Sequence, residues 1–78
     1  MQSQIDKIIE LLKDGKWHSI KEISQKSKIH EFKIEILAHF LADYSFLKLN
    51  KKEREAKLSE VFAEFLKKIY RVQKATLT

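Results

Sequence analysis

The chain has no cysteine among its 78 residues. Disulfides, thiol catalysis and thiolate metal sites are therefore excluded. No apolar run approaches the roughly 18 residues that a membrane-spanning helix requires. Met1-Gln2-Ser3-Gln4 is not a basic region followed by an apolar stretch, so no secretion signal is read. A cytoplasmic protein without membrane contact is expected. Glycine occurs once, at Gly15. There is no Gly-rich phosphate loop, nucleophile elbow or other catalytic motif, so neither an enzyme nor a cofactor is expected. His18, His30 and His39 lack metal-ligand spacing, and no carboxylate pair is expected to converge on them. Internal repeats, linkers and low-complexity segments are also missing.

What remains is a chain with 44% hydrophobic and 35% charged residues, which fits a folded globule and not a disordered tail. Its length suits one domain with one modest core. The formal net charge is +5, which suits an anionic partner through solubility and steering. The excess is not evenly spread. Up to residue 45 acidic and basic side chains balance. Lys48, Lys51, Lys52, Arg54 and Lys57 then outnumber Glu53 and Glu55, and Lys67, Lys68, Arg71 and Lys74 outnumber Glu60 and Glu64.

Ser3 followed by Asp6 reads as a capping pattern for a first helix. Ile5, Ile8, Ile9 and Leu12 fall at i, i+3, i+4 and i+7 and make one apolar stripe. Asp14-Gly15 stops this helix, with Gly15 as its left-handed C-terminal cap. Lys16-Trp17-His18 reads as a brief extended segment, with Trp17 in the core and His18 on the strand surface. Ser19-Ile20-Lys21-Glu22 is a capping box for a second helix ending at about Ser27. Ile20 and Ile23 face inward. Lys28-Ile29-His30 makes a tight turn anchored by Ile29, and His30 starts a third helix running to about Asp43.

The third helix has a main stripe of Ile34, Leu37, Ala38 and Leu41, continued by Tyr44. Phe32, Ile36 and Phe40 form a second line beside it, so the apolar arc is unusually wide. Phe46 to Asn50 reads as a strand, Lys51-Lys52-Glu53 as a turn, and Arg54 to Leu58 as the return strand. Ser59 caps a fourth helix whose buried side is supplied by Val61, Phe62, Phe65, Leu66, Ile69 and Val72. A single domain over residues 1–74 is expected, with 75–78 as a frayed tail. The fold class is mainly α with a small β-hairpin: a three-helix core, a hairpin and an additional C-terminal helix. Two helices joined by a short turn and followed by a hairpin give the helix-turn-helix plan with a wing.

The stretch from Ile8 to Ile69 resembles a winged-helix domain, particularly the small archaeal DNA-binding and regulator type. The resemblance lies in Leu11 to Ile23, Ile29, Phe40 to Leu47, and Ala56-Lys57-Leu58-Ser59 leading into Phe65-Leu66. It is specific for fold and poorly so for function. It implies that the third helix enters the DNA major groove, with Glu31, Phe32, Glu35, Ile36 and His39 facing the groove and Lys33 nearby. It implies wing contacts from Lys51, Lys52 and Arg54, and phosphate contacts from Lys21, Lys26 and Lys28 of the second helix. Transcription regulation by a homodimer on duplex DNA would follow. The chain departs from the family pattern where glycine is usual, at Lys28, at Ser45 and at the hairpin tip. The first two departures are expected to be carried by left-handed or bridge-region residues.

The residues themselves leave two readings open. Base edges are usually read by Arg, Lys, Asn or Gln, whereas this third helix offers glutamate, phenylalanine and isoleucine. Phe32, Ile36 and Phe40 read equally as core or interface residues packing on the fourth helix. The basic hairpin, with Lys48 and Lys57 added to the wing residues, is the better DNA candidate, because backbone-dominated binding needs little more than a positive stripe. The same lysines also read as an ordinary solvated sheet edge. The alternative function is a protein-interaction module using the acidic and apolar third helix, with Phe32, Ile36, Val61 and Tyr70 as candidate interface residues.

Overall fold

The structure, a computed structural model, describes residues 3–76, with side chains described up to Ile69 and for Arg71. Four helices and three short strands follow in the order α1 (Gln4–Leu11), β1 (His18–Ser19), α2 (Ile20–Ser27), α3 (Glu31–Asp43), β2 (Leu47–Asn50), β3 (Glu55–Leu58) and α4 (Glu60–Thr76). The architecture is mainly α with a small antiparallel sheet ordered β1-β3-β2. No helix among the described residues is long and apolar enough to cross a membrane.

Local chemistry explains most boundaries. Ser3 and Asp6 exchange hydrogen bonds as a full capping box at the start of α1. At α2 the Ser19 hydroxyl accepts from the Glu22 N–H at 3.0 Å, but the Glu22 carboxylate turns to His18 and Lys26. The expected second box is therefore only half made. At α3 the His30 Nδ1 accepts from the Phe32 N–H at 3.1 Å, and at α4 the Ser59 hydroxyl accepts from the Phe62 N–H at 3.2 Å. Each satisfies an N-terminal donor that has no partner within its helix. Gly15 is not the cap of α1. The helix ends earlier, at Leu11 with Leu12 as its C-cap, and Gly15 takes φ +75° further along the loop.

Three non-glycine residues hold left-handed backbones: Lys28 at φ 60°, Ser45 at φ 64° and Arg54 at φ 52°. The first two lie where left-handed or bridge-region residues were expected, and Arg54 closes the hairpin turn. Lys28 ends α2, its N–H bonding to the Ser24 carbonyl, and so admits the sharp turn into α3.

The core is built from Ile8 and Leu12 of α1, Ile20 and Ile23 of α2, Ile29, the Ile34, Ala38 and Leu41 face of α3, and Leu47, Ala56 and Leu58 of the sheet. Ile5, Leu37, Leu49, Phe62, Ala63 and Leu66 pack around it. The third-helix stripe lies inward except at Tyr44, which is 63% exposed. Alternation along β3 buries Ala56 and Leu58 and turns Lys57 outward, directly opposite Lys48 of β2. Like charges at opposed positions repel. Each lysine has another contact: Lys48 lies 3.8 Å from Glu60, and Lys57 sits over the Trp17 ring at 5.2 Å.

Several apolar residues expected inside are not. Trp17 precedes a strand of only two residues and remains 41% exposed under Lys57. Phe40 is 50% exposed, as Phe32 and Ile36 also are to similar degrees. The reason is where α4 sits. Its Ala63 and Leu66 face Leu58 and the Lys13-Asp14-Gly15 loop, so it does not lie along the outer line of α3. For the same reason Val61 and Phe65, expected on the buried side of α4, are exposed. The expected end of the domain at 74 falls within α4, which continues to Thr76; residues 77 and 78 of the expected tail, and the side chains of Tyr70 and Val72, lie outside the described set.

Candidate functional site

The candidate DNA contacts fall into two groups. Lys26 and Lys48 are engaged within the chain, Lys26 with Glu22 at 3.0 Å and Lys48 with Glu60. Both pairs are solvent-exposed and contribute little to stability. Lys21, Lys28, Lys33, His39, Lys51 and Lys52 are exposed. None of these six has an ion pair among the described residues.

Arg54 behaves unlike the other hairpin cations. Its left-handed backbone closes the turn, and its carbonyl accepts from the Ile20 N–H at 2.8 Å. Its guanidinium crosses to the outer face of α3. There Nε donates to Glu35 at 3.1 Å and Nη2 donates to both Glu35 and Glu31, the latter at 3.3 Å. Glu31 and Glu35 are one helical turn apart, so one planar fork reaches both. Hydrogen bonding and charge from Glu35, then Glu31, raise the Arg54 pKa above its ordinary value. Thus one residue ties the hairpin tip to α2 through its backbone and to α3 through its side chain. A cleft of about 350 Å³ lies beside it, floored by Ile20, Ala38 and Leu49 and rimmed by Glu35, His39, Asn50, Lys51, Arg54 and Glu55.

A second cluster was not foreseen. His18 is not a free surface residue: its side chain is only 13% exposed and is held from both sides. Nε2 lies 2.9 Å from Asp14 Oδ1, and Nδ1 lies 2.8 Å from Glu22 Oε2. A carboxylate pair does converge on this histidine, contrary to expectation. Each carboxylate takes a different ring nitrogen, which is the arrangement of an imidazolium donating twice and not of a shared metal site. Burial pushes the His18 pKa down, but the hydrogen bonds it donates to Asp14 and Glu22 outweigh that and the net shift is upward from 6.5. The Lys16 N–H and then His18 lower the pKa of Asp14. Hydrogen bonds from His18 and then Lys26 lower that of Glu22.

Exposed apolar side chains form two regions. Phe32, Ile36 and Phe40 line the outer side of α3. From Phe40 a chain of ring contacts continues through Tyr44, Phe46 and Phe62 to Phe65, with centroid separations of 5.1, 6.4, 4.8 and 6.3 Å. Of the candidate interface residues, Phe32 and Ile36 lie in the first region and Val61 beside the second; Tyr70 lies outside the described side chains. The local sequence signal for the aromatic chain is the run Phe40–Tyr44–Phe46, where Ser45 turns the backbone between two rings.

Comparison with known proteins finds no matching family model. No curated protein is significantly similar in sequence either.

Proposed function

We propose that the protein is a winged-helix module that binds duplex DNA chiefly through the phosphate backbone, with the β2–β3 hairpin as its wing. The observation that carries this reading is the Arg54 bridge. Glu31 and Glu35 would otherwise face the phosphates with two negative charges. With Arg54 between them that charge is halved, while Lys51 and Lys52 project from the same hairpin tip with no ion-pair partner among the described residues. Lys33 and His39 on α3 and Lys21 and Lys28 at the two ends of α2 add positive or polar side chains to the reading. α3 carries no Asn, Gln or Arg for bidentate base contacts, so sequence discrimination is expected to be weak. Transcription regulation is one role such a binder would serve.

A second reading is favoured by the exposed Phe32–Ile36–Phe40 line, which suits a docked protein better than a DNA groove. One titration separates the two. Fluorescence anisotropy with a mixed-sequence duplex at low and moderate salt should show binding that weakens with salt. Replacing Lys51 and Lys52 together with alanine should reduce the magnitude of the log–log salt slope by about 2. No binding at low salt would sink the DNA reading and leave the protein-docking one.

A further inference from the structure

We propose that α4 pairs antiparallel with α4 of a second copy of this chain, closing over the aromatic groove between Tyr44, Phe46 and Phe62. This inference is independent of DNA binding. Its first support is the character of the helix. Phe62, Ala63 and Leu66 pack toward the core, while Val61 and Phe65 on another side are 81% and 54% exposed. Val61 and Phe65 widen the apolar arc of α4 beyond what its own core covers, and so wide an arc is normally buried.

The second support is area. Phe40, Tyr44, Phe46, Val61 and Phe65 are 38% to 81% exposed, and at about 200 Å² per aromatic side chain they leave roughly 500 Å² of connected apolar surface. That is at the upper end for a monomer. A standard interface buries about 800 Å² per partner, of which rather more than half is apolar, so this patch would supply its core.

The third support names the occupant and its direction. Val61, Phe65 and Lys68 follow one another at the 4-then-3 spacing of a coiled-coil seam. Beside them runs a charged stripe at positions 60, 64, 67 and 71: two glutamates, then a lysine and an arginine. A two-fold axis passing between Phe65 and Leu66 sets Glu60 opposite the partner subunit's Arg71 and Glu64 opposite the partner subunit's Lys67. Parallel pairing would set each charge against its own kind. The Glu64–Lys67 contact within one helix and the Glu60–Lys48 contact are each 3.8 Å long and solvent-exposed, so both yield readily to the exchange.

Sedimentation velocity of the full chain should show a dimer. Changing Val61 and Phe65 together to glutamate should raise the dimer Kd by about 100-fold or more, with circular dichroism unchanged because both side chains are exposed. Phe32→Glu with Ile36→Glu should leave the dimer intact. The chain has no cysteine, so direction is testable by crosslinking. Glu60→Cys mixed with Arg71→Cys should give a mixed disulfide dimer, and Glu60→Cys alone should not. A monomer at millimolar concentration overturns the proposal and leaves the patch to a different protein. So does dissociation by the α3 pair but not the α4 pair, or crosslinking of Glu60→Cys to itself.

Discussion

Stability should depend on pH through the His18 clamp, and the sign follows from its geometry. As imidazolium, His18 donates to Asp14 and to Glu22 at once; as neutral imidazole it has one proton, and one carboxylate then faces a lone pair. Its folded pKa is raised above 6.5, so its contribution is complete below that pH and is lost as pH rises through the folded value. Asp14 and Glu22 have depressed pKa values, so their contribution is present above 3.8 and 4.5 and fades as pH falls through the folded values. The clamp is therefore complete between about pH 4.5 and 6.5. Both carboxylates are more than a third exposed, which limits each ion pair to about 0.2–1 kcal/mol. Together they contribute about 1 kcal/mol, or about 4–8 °C in Tm for a domain of this size. Thermal melts at pH 6 and pH 8.5 should show that fall, and His18→Gln should abolish most of it while lowering Tm at pH 6. NMR titration should place the His18 pKa above 6.5. A wild type and variant with parallel pH profiles, or a His18 pKa below 6.5, would refute the reasoning.

Other consequences can be checked singly. Ser45 holds φ 64°, so Ser45→Gly should stabilise the fold by up to about 1 kcal/mol in urea unfolding, relief of left-handed strain outweighing added chain entropy. Ile34 is fully buried, and Ile34→Ala should cost about 2–5 kcal/mol in the same assay. Lys57 covers the single tryptophan, so Lys57→Ala should shift Trp17 emission to longer wavelength with a loss of about 0.5–1 kcal/mol.

How much was legible depended on the distance over which the determining contact acts. The bounds of α3 could be read because His30, its periodic apolar face and the turn at Ile29 are all local. The hairpin could be read from the two short strand-like runs either side of Lys51-Lys52-Glu53, with Lys48 set between Leu47 and Leu49. The Arg54 bridge could not, because its partners lie 19 and 23 residues away; only the i, i+4 spacing of Glu31 and Glu35 hinted at a shared cation. Asp14 and Glu22 stand symmetrically four residues either side of His18, but that spacing implies contact only within a helix, and here a strand and a turn intervene. Phe40 and Val61 were misplaced for a different reason. Periodicity reports which residues share a face, and says nothing about whether a neighbouring element covers it.

The Arg54 bridge also gives the hairpin a setting that responds to ionic strength. A tip held down by charge loosens as added salt shortens the range of its attraction. The same salt weakens any grip on phosphates. The two responses differ in kind, since one frees a cation and uncovers two carboxylates on α3, and the other only dilutes attraction. Replacing Arg54 with methionine would remove the first and keep the second.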